Sequence, residues 1–292
     1  MIRRTFLSTS LAVPAALLAG CGTRPFHFIQ MADTQLGMIA GGDGSDFSAE
    51  TAIMEDVVAR INGMRPVPAF VAVCGDLTNL PEHPAQVEEY KRLMAIVRDD
   101  TPVYNISGNH DFTGNPPPSR EGIEAYREMY GRDWYSFVRN GWLFISLNST
   151  LIKTPDAVED IDQEQKVWLQ NELDNVKSGS YQGAAVFMHH PFFDNDIDEE
   201  DGYHSISKAR RREFLDMFAD AGVDAVFSGH RHTTIPVHEY GGVKLINTNA
   251  ICNSFDDSPG LRIVRCSVEG LEQVFCHREE IPVDLESVFA GV

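Results

Sequence analysis

The chain has 292 residues, 43% of them hydrophobic, and a formal charge of −19 at neutral pH. That length is ample for one large core or two fused halves. So acidic a surface repels nucleic acid and anionic lipid, which excludes both as charge-driven partners. Attraction for a phosphate must then come from a local cationic site, and bound metal is the obvious source.

At the N-terminus, Arg3-Arg4-Thr5-Phe6-Leu7 precedes an apolar stretch over 11–18 and then Ala19-Gly20-Cys21. A positive start, a short apolar centre and small residues before a cut site describe an export signal. The apolar stretch is well short of the ~20 residues of a membrane span. The twin arginine resembles a Tat signal, and Leu18-Ala19-Gly20-Cys21 resembles a bacterial lipobox. The expectation is therefore a lipoprotein signal over 1–21 and a single domain over 22–292. The protein would be exported to the cell envelope or periplasm, with membrane contact only through a lipid anchor at Cys21. An ordinary signal with an incidental Cys21 is the alternative. Cys74, Cys252, Cys266 and Cys276 form no C-x-x-C pair, so a zinc ribbon is excluded. An oxidising compartment allows a disulfide among the last three, but free buried thiols are the plainer reading.

In chain order, residues 26–32 read as a strand ending on Asp33-Thr34-Gln35, with His27 in the core or at an edge. The Gly-rich stretch 37–44 lacks a P-loop pattern and reads as a flexible rim. Residues 48–62 carry Ile53, Val57, Val58 and Ile61 at helical spacing behind Ser48, an expected N-cap. The run 70–74 is short, apolar and stopped by Gly75-Asp76, as a buried strand is. A helix over 85–97 and a strand over 101–107 follow, the latter ending on Gly108-Asn109-His110-Asp111. The first third thus reads strand-helix-strand-helix-strand, a sheet with helical crossovers.

A Pro-rich loop, 112–120, comes next. Residues 134–138 and 142–148 predict a hairpin around Asn140-Gly141. Asp162-Gln163-Glu164-Gln165 resembles a capping box that opens a helix through Val176. A strand over 184–188 ends on His189-His190-Pro191. The acidic stretch 194–201 reads as a solvated loop, with a role in substrate choice as the alternative. A helix over 207–221 carries Arg210, Arg211 and Arg212 as a solvated basic face, and a strand over 223–227 ends on Ser228-Gly229-His230-Arg231-His232. Residues 243–275 alternate and predict antiparallel strands.

Five predicted strands therefore end on Asp33, Asp76, Asn109-His110, His189 and His230/His232. Such endings lie where α/β sheets place their chemistry. Carboxylate, amide and imidazole donors without thiolate suit Mn, Fe, Zn or Mg. A His-x-His pair with a carboxylate able to bridge points to two ions, the arrangement that clamps an in-line displacement at phosphorus.

In this order the five blocks form a signature that resembles the calcineurin-like metallophosphoesterases over about residues 26–250. The resemblance implies an α/β (α+β) fold, a four-layer α-β-β-α sandwich of two mixed sheets. It implies hydrolysis of phosphate esters on small molecules or phosphoproteins by a dinuclear site with a bridging hydroxide. One divalent metal ion would be held by Asp33, Asp76 and His232, and the other by Asp76, Asn109, His189 and His230. Asp76 would bridge and His110 would protonate the leaving oxygen. The first block normally reads Asp-x-His, whereas here Gln35 offers an amide oxygen to the first metal, which tilts that position toward Mg or Mn. The Asp-x-Gln start followed by Leu36-Gly37 resembles one subfamily, the complete S-transactivated protein type. Asn79 stands where many relatives carry Asp, an expected loosening of His110. Arg231, between two ligands, is a candidate phosphate contact. A non-catalytic or weakly active phosphate- or metal-binding lipoprotein, and a phosphodiesterase rather than a monoesterase, remain open alternatives.

Overall fold

The computed structural model describes residues 24–112 and 117–290. The expected export signal and the Cys21 anchor lie outside them. Two sheets form the centre. The first has the order β11-β10-β1-β2-β3, where β1 is Phe26–Met31, β2 Val71–Cys74, β3 Val103–Ile106, β10 Gly260–Ser267 and β11 Gly270–His277. Strands β1, β2 and β3 are parallel, and β10 runs antiparallel to β1. The second sheet has the order β4-β5-β6-β7-β9-β8, with β4 at Tyr135–Arg139, β5 Trp142–Ser146, β6 Gly183–Phe187, β7 Ala225–Ser228, β8 His238–Tyr240 and β9 Val243–Asn247. Its four inner strands are parallel and its two edges antiparallel.

The period-2 alternation of the strands assigns their faces. Phe28 and Ala72 point between the sheets, where they meet Phe70, Phe144, Phe187 and Phe227 in one fully buried aromatic layer. Phe28 stacks on Phe70 with ring centroids 4.5 Å apart, while its contacts with Phe144, Phe187 and Phe227 are edge-on. Burying each such ring contributes about 1.5–3 kcal/mol. Ile29, Met31, Val71 and Val73 face the other way, onto helices α1 (Ser48–Gly63) and α2 (Pro84–Met94). A matching layer joins the second sheet to α5 (Glu159–Lys177) and α6 (Lys208–Ala221). Between α2 and α5 in the chain lie α3 (Arg120–Tyr130) and the short α4 (Ser149–Lys153). The expected four-layer sandwich is thus present.

Several local expectations are corrected. Ser48 is the first helical residue of α1 rather than its cap, and no side chain caps that end. Helix α5 starts at Glu159, so Asp162 lies inside it and accepts from Arg210 at 2.8 and 2.9 Å instead of capping. Gln165 reaches across to the backbone N–H of Asn148 at 2.7 Å. Of the three consecutive arginines, Arg211 is fully buried, donating to the carbonyls of Ile206, Ile197 and Glu199. The acidic stretch 194–201 is partly ordered by its own carboxylates, since Glu199 accepts from the N–H groups of Asp194 and Asn195. The Gly-rich rim is pinned by Glu50, which accepts from Gly37 and Ile39, and by Gln86, which donates to Gly44. In the tail, β9 joins β7 in parallel instead of antiparallel. The hairpin turn is as expected, with φ of 48° at Asn140 and 81° at Gly141 matching the favoured two-residue connection. Cys74, Cys252, Cys266 and Cys276 are free and buried.

Candidate metal centre

The loops that leave the C-terminal ends of β1, β2, β3, β6 and β7 converge on one spot. The first two are tied together: Asp33 N–H donates to Gly75 O at 3.1 Å and Gln35 N–H to Asp76 O at 2.8 Å. On the second sheet, Gly229 N–H donates to His189 O at 2.9 Å. The backbone bends sharply to aim the side chains. Asp33, Gln35, Asp76, His230 and His232 all have positive φ, between 38° and 73°. That conformation is costly for residues with a Cβ and clusters at functional sites.

Two glycines make the approach possible. A methyl group on Gly75 would lie 2.3 Å from His189 Nδ1, and one on Gly108 2.2 Å from Asp76 Oδ1. The Gly-Asp and Gly-Asn-His-Asp motifs therefore carry glycine because the neighbouring loop's donor occupies the space.

Two groups of side chains bring their donor atoms within 4.8 Å of one another: Asp76, His189 and His230 form one, and Asp33, Asp76 and His232 the other. Asp76 belongs to both. His189 Nε2 lies 3.2 Å from Asp76 Oδ2, 3.1 Å from Asn109 Oδ1 and 3.0 Å from His230 Nδ1. His232 Nε2 lies 3.2 Å from Asp33 Oδ1. All are buried. The outer nitrogens of two of these rings are held by backbone carbonyls, His189 Nδ1 by Cys74 O at 2.9 Å and His232 Nδ1 by Asn253 O at 2.5 Å. That is the support metal-binding histidines receive, because it fixes the tautomer and leaves a lone pair on Nε2.

These residues fit divalent cations. A neutral His189 would direct a lone pair at two further acceptors, Asp76 and Asn109, and only a shared cation or proton makes that favourable. Gln35 Oε1 is buried with no hydrogen-bond partner, a state that costs free energy unless something outside the chain satisfies it. The donors are hard or borderline, without thiolate, as Mg, Mn, Fe or Zn requires.

The electrostatics follow the same layout. Burial opposes a charge on His189, but the carboxylate of Asp76, helped by Asp33, outweighs it and lifts its pKa to about 9. Burial likewise opposes ionisation of Asp76, yet the imidazoles of His189 and His110 hold it well below the ordinary carboxylate range. Burial and the neighbouring His189 push His230 well down. His232 is raised by Asp33 against its own burial.

His110 sits beside the centre with its backbone N–H on Asp76 Oδ1 at 2.9 Å. Its ring Nδ1 is 2.9 Å from the backbone carbonyl of Asn79. The expected loosening by Asn79 therefore does not arise, since the backbone does the orienting. His190 stands behind the site with Nδ1 2.9 Å from Ser149 Oγ, leaving His189 as the donor in that block. Arg231 is engaged by Asp194 at 3.0 Å. One residue without an expected role is Asp111. Its carboxylate accepts from Leu77 N–H and Gly108 N–H, both at 2.8 Å, and so braces the Asp76 and Asn109 loops against each other. The position four residues into the Gly-Asn-His-Asp block was its only signal.

A four-layer sandwich with a shared-aspartate donor cluster at its strand ends defines the class. The chain belongs to the calcineurin-like phosphoesterase family, which it matches over residues 26–234. Members of that family are phosphoric ester hydrolases that generally use two divalent metals. Among individual proteins, the chain is 35% identical to the serine/threonine-protein phosphatase CPPED1 of Bos taurus over 269 residues, 88% of this chain and 85% of that one. It is also 35% identical to the human CPPED1 over 270 residues, again 88% and 85%. Its fold resembles a purple acid phosphatase of Lupinus luteus (TM-score 0.61, 13% identity, covering 89% of this chain and 53% of that one). It also resembles a dimetal phosphatase of Danio rerio (TM-score 0.56, 15% identity, covering 88% and 100%).

Proposed function

We propose that this chain hydrolyses phosphate esters with two divalent cations, one at Asp33, Gln35, Asp76 and His232 and the other at Asp76, Asn109, His189 and His230. The observation that carries the reading is the membership of Asp76 in both donor groups. Divalent cations held by these residues would activate water as the nucleophile and stabilise charge in a displacement at phosphorus. Asp76 would be shared between the two positions. The Asn79 carbonyl holds the Nδ1–H of His110, so Nε2 is the atom that passes a proton to the leaving oxygen. Burial of every donor keeps bulk water from competing and strengthens each charge interaction.

The serine/threonine-protein phosphatase relatives support phosphomonoesters, including those on proteins, as the substrate class. Export and lipid attachment at Cys21 remain part of the proposal, supported by the residues before it. Cys21→Ser would then release the protein from the membrane fraction, and unchanged partition would exclude the anchor.

The deciding experiment is metal analysis of the purified protein beside turnover of p-nitrophenyl phosphate and bis-p-nitrophenyl phosphate with added Mn. Two bound ions per chain and hydrolysis of the monoester are expected. No turnover with at most one weakly held ion would instead make this a binding lipoprotein on a phosphoesterase scaffold.

A further inference from the structure

We propose that a shallow cleft opening off the second donor group is a subsite for a compact apolar ring in the organic part of the ester. The inference rests on the phosphoesterase reading and narrows its substrate class. The cleft has a volume of about 110 Å³ and runs from Asn109 and His190 to a wall made by Pro117, Pro118 and Tyr203. Asn109 is both a donor of the centre and a lining residue of the cleft, so a phosphoryl group at the cations places its ester substituent at the cleft mouth.

The wall is built to meet a flat group. Tyr203 packs its ring on His230 with centroids 5.1 Å apart. Its hydroxyl accepts from Asn109 Nδ2 at 3.3 Å. The ring is held at both ends, and Tyr203 is 48% exposed. Aromatic and proline rings offer rigid apolar faces at little entropic cost.

The one cation on the lining is committed elsewhere. Lys153 Nζ donates to the carbonyls of Gly202 at 2.9 Å and Ser205 at 2.6 Å, and burial pushes its pKa down. It therefore staples the turn that carries Tyr203, with two of its three N–H donors already engaged. Size sets a limit. A closed cavity of about 150 Å³ holds one benzene molecule. An open cleft somewhat smaller accepts a single ring with one edge in water, but not a whole nucleoside.

Benzyl phosphate and propyl phosphate test this directly, because their leaving alcohols have similar acidity and differ in the ring. With the Mn-loaded full chain, benzyl phosphate is expected to show a KM about tenfold lower at similar kcat, the effect of burying part of a ring. Tyr203→Ala should erase that preference and Tyr203→Phe should keep it, separating the ring from its hydroxyl. Equal KM values for the two esters, or a preference undiminished in Tyr203→Ala, would overturn the subsite. If neither ester turns over, the phosphoesterase reading fails on its own, and calorimetric binding of benzylphosphonate and propylphosphonate to the same Mn-loaded protein decides the cleft. About tenfold tighter binding of the benzyl compound upholds it, and equal binding removes it.

Discussion

The side-chain amide of Gln35 donates through Nε2 to Oδ1 of Asn79 at 3.4 Å, which leaves Gln35 Oε1 buried with no hydrogen-bond partner. Asn79 thus selects one of the two ways the Gln35 amide can face. A free amide oxygen can act as a metal donor, whereas an NH2 group in its place cannot. Asn79→Leu is expected to weaken binding of one of the two cations by about 10–100-fold, the usual effect of removing a group that orients a ligand. Calorimetric titration of the metal-free protein with Mn checks it. The orientation of His110 should survive, since it depends on the Asn79 backbone carbonyl. Loss of both cations together would show that Asn79 holds the loop and not the amide.

Asp76→Asn tests the shared position. The amide keeps the shape but removes the charge that both donor groups use. Turnover should fall by about a hundred- to a thousandfold, the range seen when a group acting on the transition-state charge is removed, and bound metal should fall below two ions per chain. Circular dichroism should be unchanged. Undiminished turnover would remove the bridging role. In the same assay Gln35→His is expected to raise affinity at the first position, because imidazole binds borderline metals more tightly than a neutral amide.

Gly108→Ala separates packing from charge. The added methyl group would lie 2.2 Å from Asp76 Oδ1 and 2.3 Å from Asp76 N, and neither belongs to a side chain that can swing away freely. The loops have to part, at a cost of about 1–3 kcal/mol in stability. Turnover should fall although no donor has been removed. A urea melt beside the activity assay checks both. A variant as stable and active as the parent would mean that these loops are not in mutual contact.

The candidate centre was legible in the sequence for a physical reason. The donor blocks follow apolar runs, and Asp76, Asn109 and His230 each stand beside a glycine; the structure shows that the apolar run places the strand end and that these glycines admit the neighbouring donor. Which face of each strand meets the other sheet was not legible, because Phe28 and Ile29 are both apolar and both buried. What sequence spacing does not reveal is where a polar side chain finds its partner. Asp162 looks like a cap because Gln165 follows at the right distance, yet its partner Arg210 arrives from another helix. Arg211 adjoins the exposed Arg212 in sequence and is buried by loop carbonyls that no local pattern announces.

That last contrast is itself testable. Arg211 lies 3.9 Å from the carboxylates of Glu199 and Asp201 and donates to three backbone carbonyls. Arg211→Leu strands them in the interior and should cost about 2–4 kcal/mol. Arg212 pairs at the surface with Asp198, both more than half exposed, so Arg212→Ala should change stability by about 0.5 kcal/mol or less. Chemical denaturation of the two variants checks the difference. Similar losses would mean that the basic stretch is solvated throughout.

His27 provides a pH test far from the metal centre. It is buried on β1, its ring 5.6 Å from Phe289 and its Nε2 3.7 Å from Glu286. Burial lowers its pKa below the ordinary 6.5, and Glu286 only partly offsets this. The unfolded chain therefore takes up the proton first as pH falls. Above the ordinary value both states are neutral and the stability is fully present. It is lost as pH falls through about 6.5 toward the lower folded value. His27→Phe removes the titration and keeps an aromatic ring against Phe289. Urea melts of both proteins at about pH 7.5 and about pH 5.5 isolate this residue from all others that titrate. The drop in stability between the two conditions should be smaller in the variant, and an equal or larger drop would show that His27 is protonated in the folded chain.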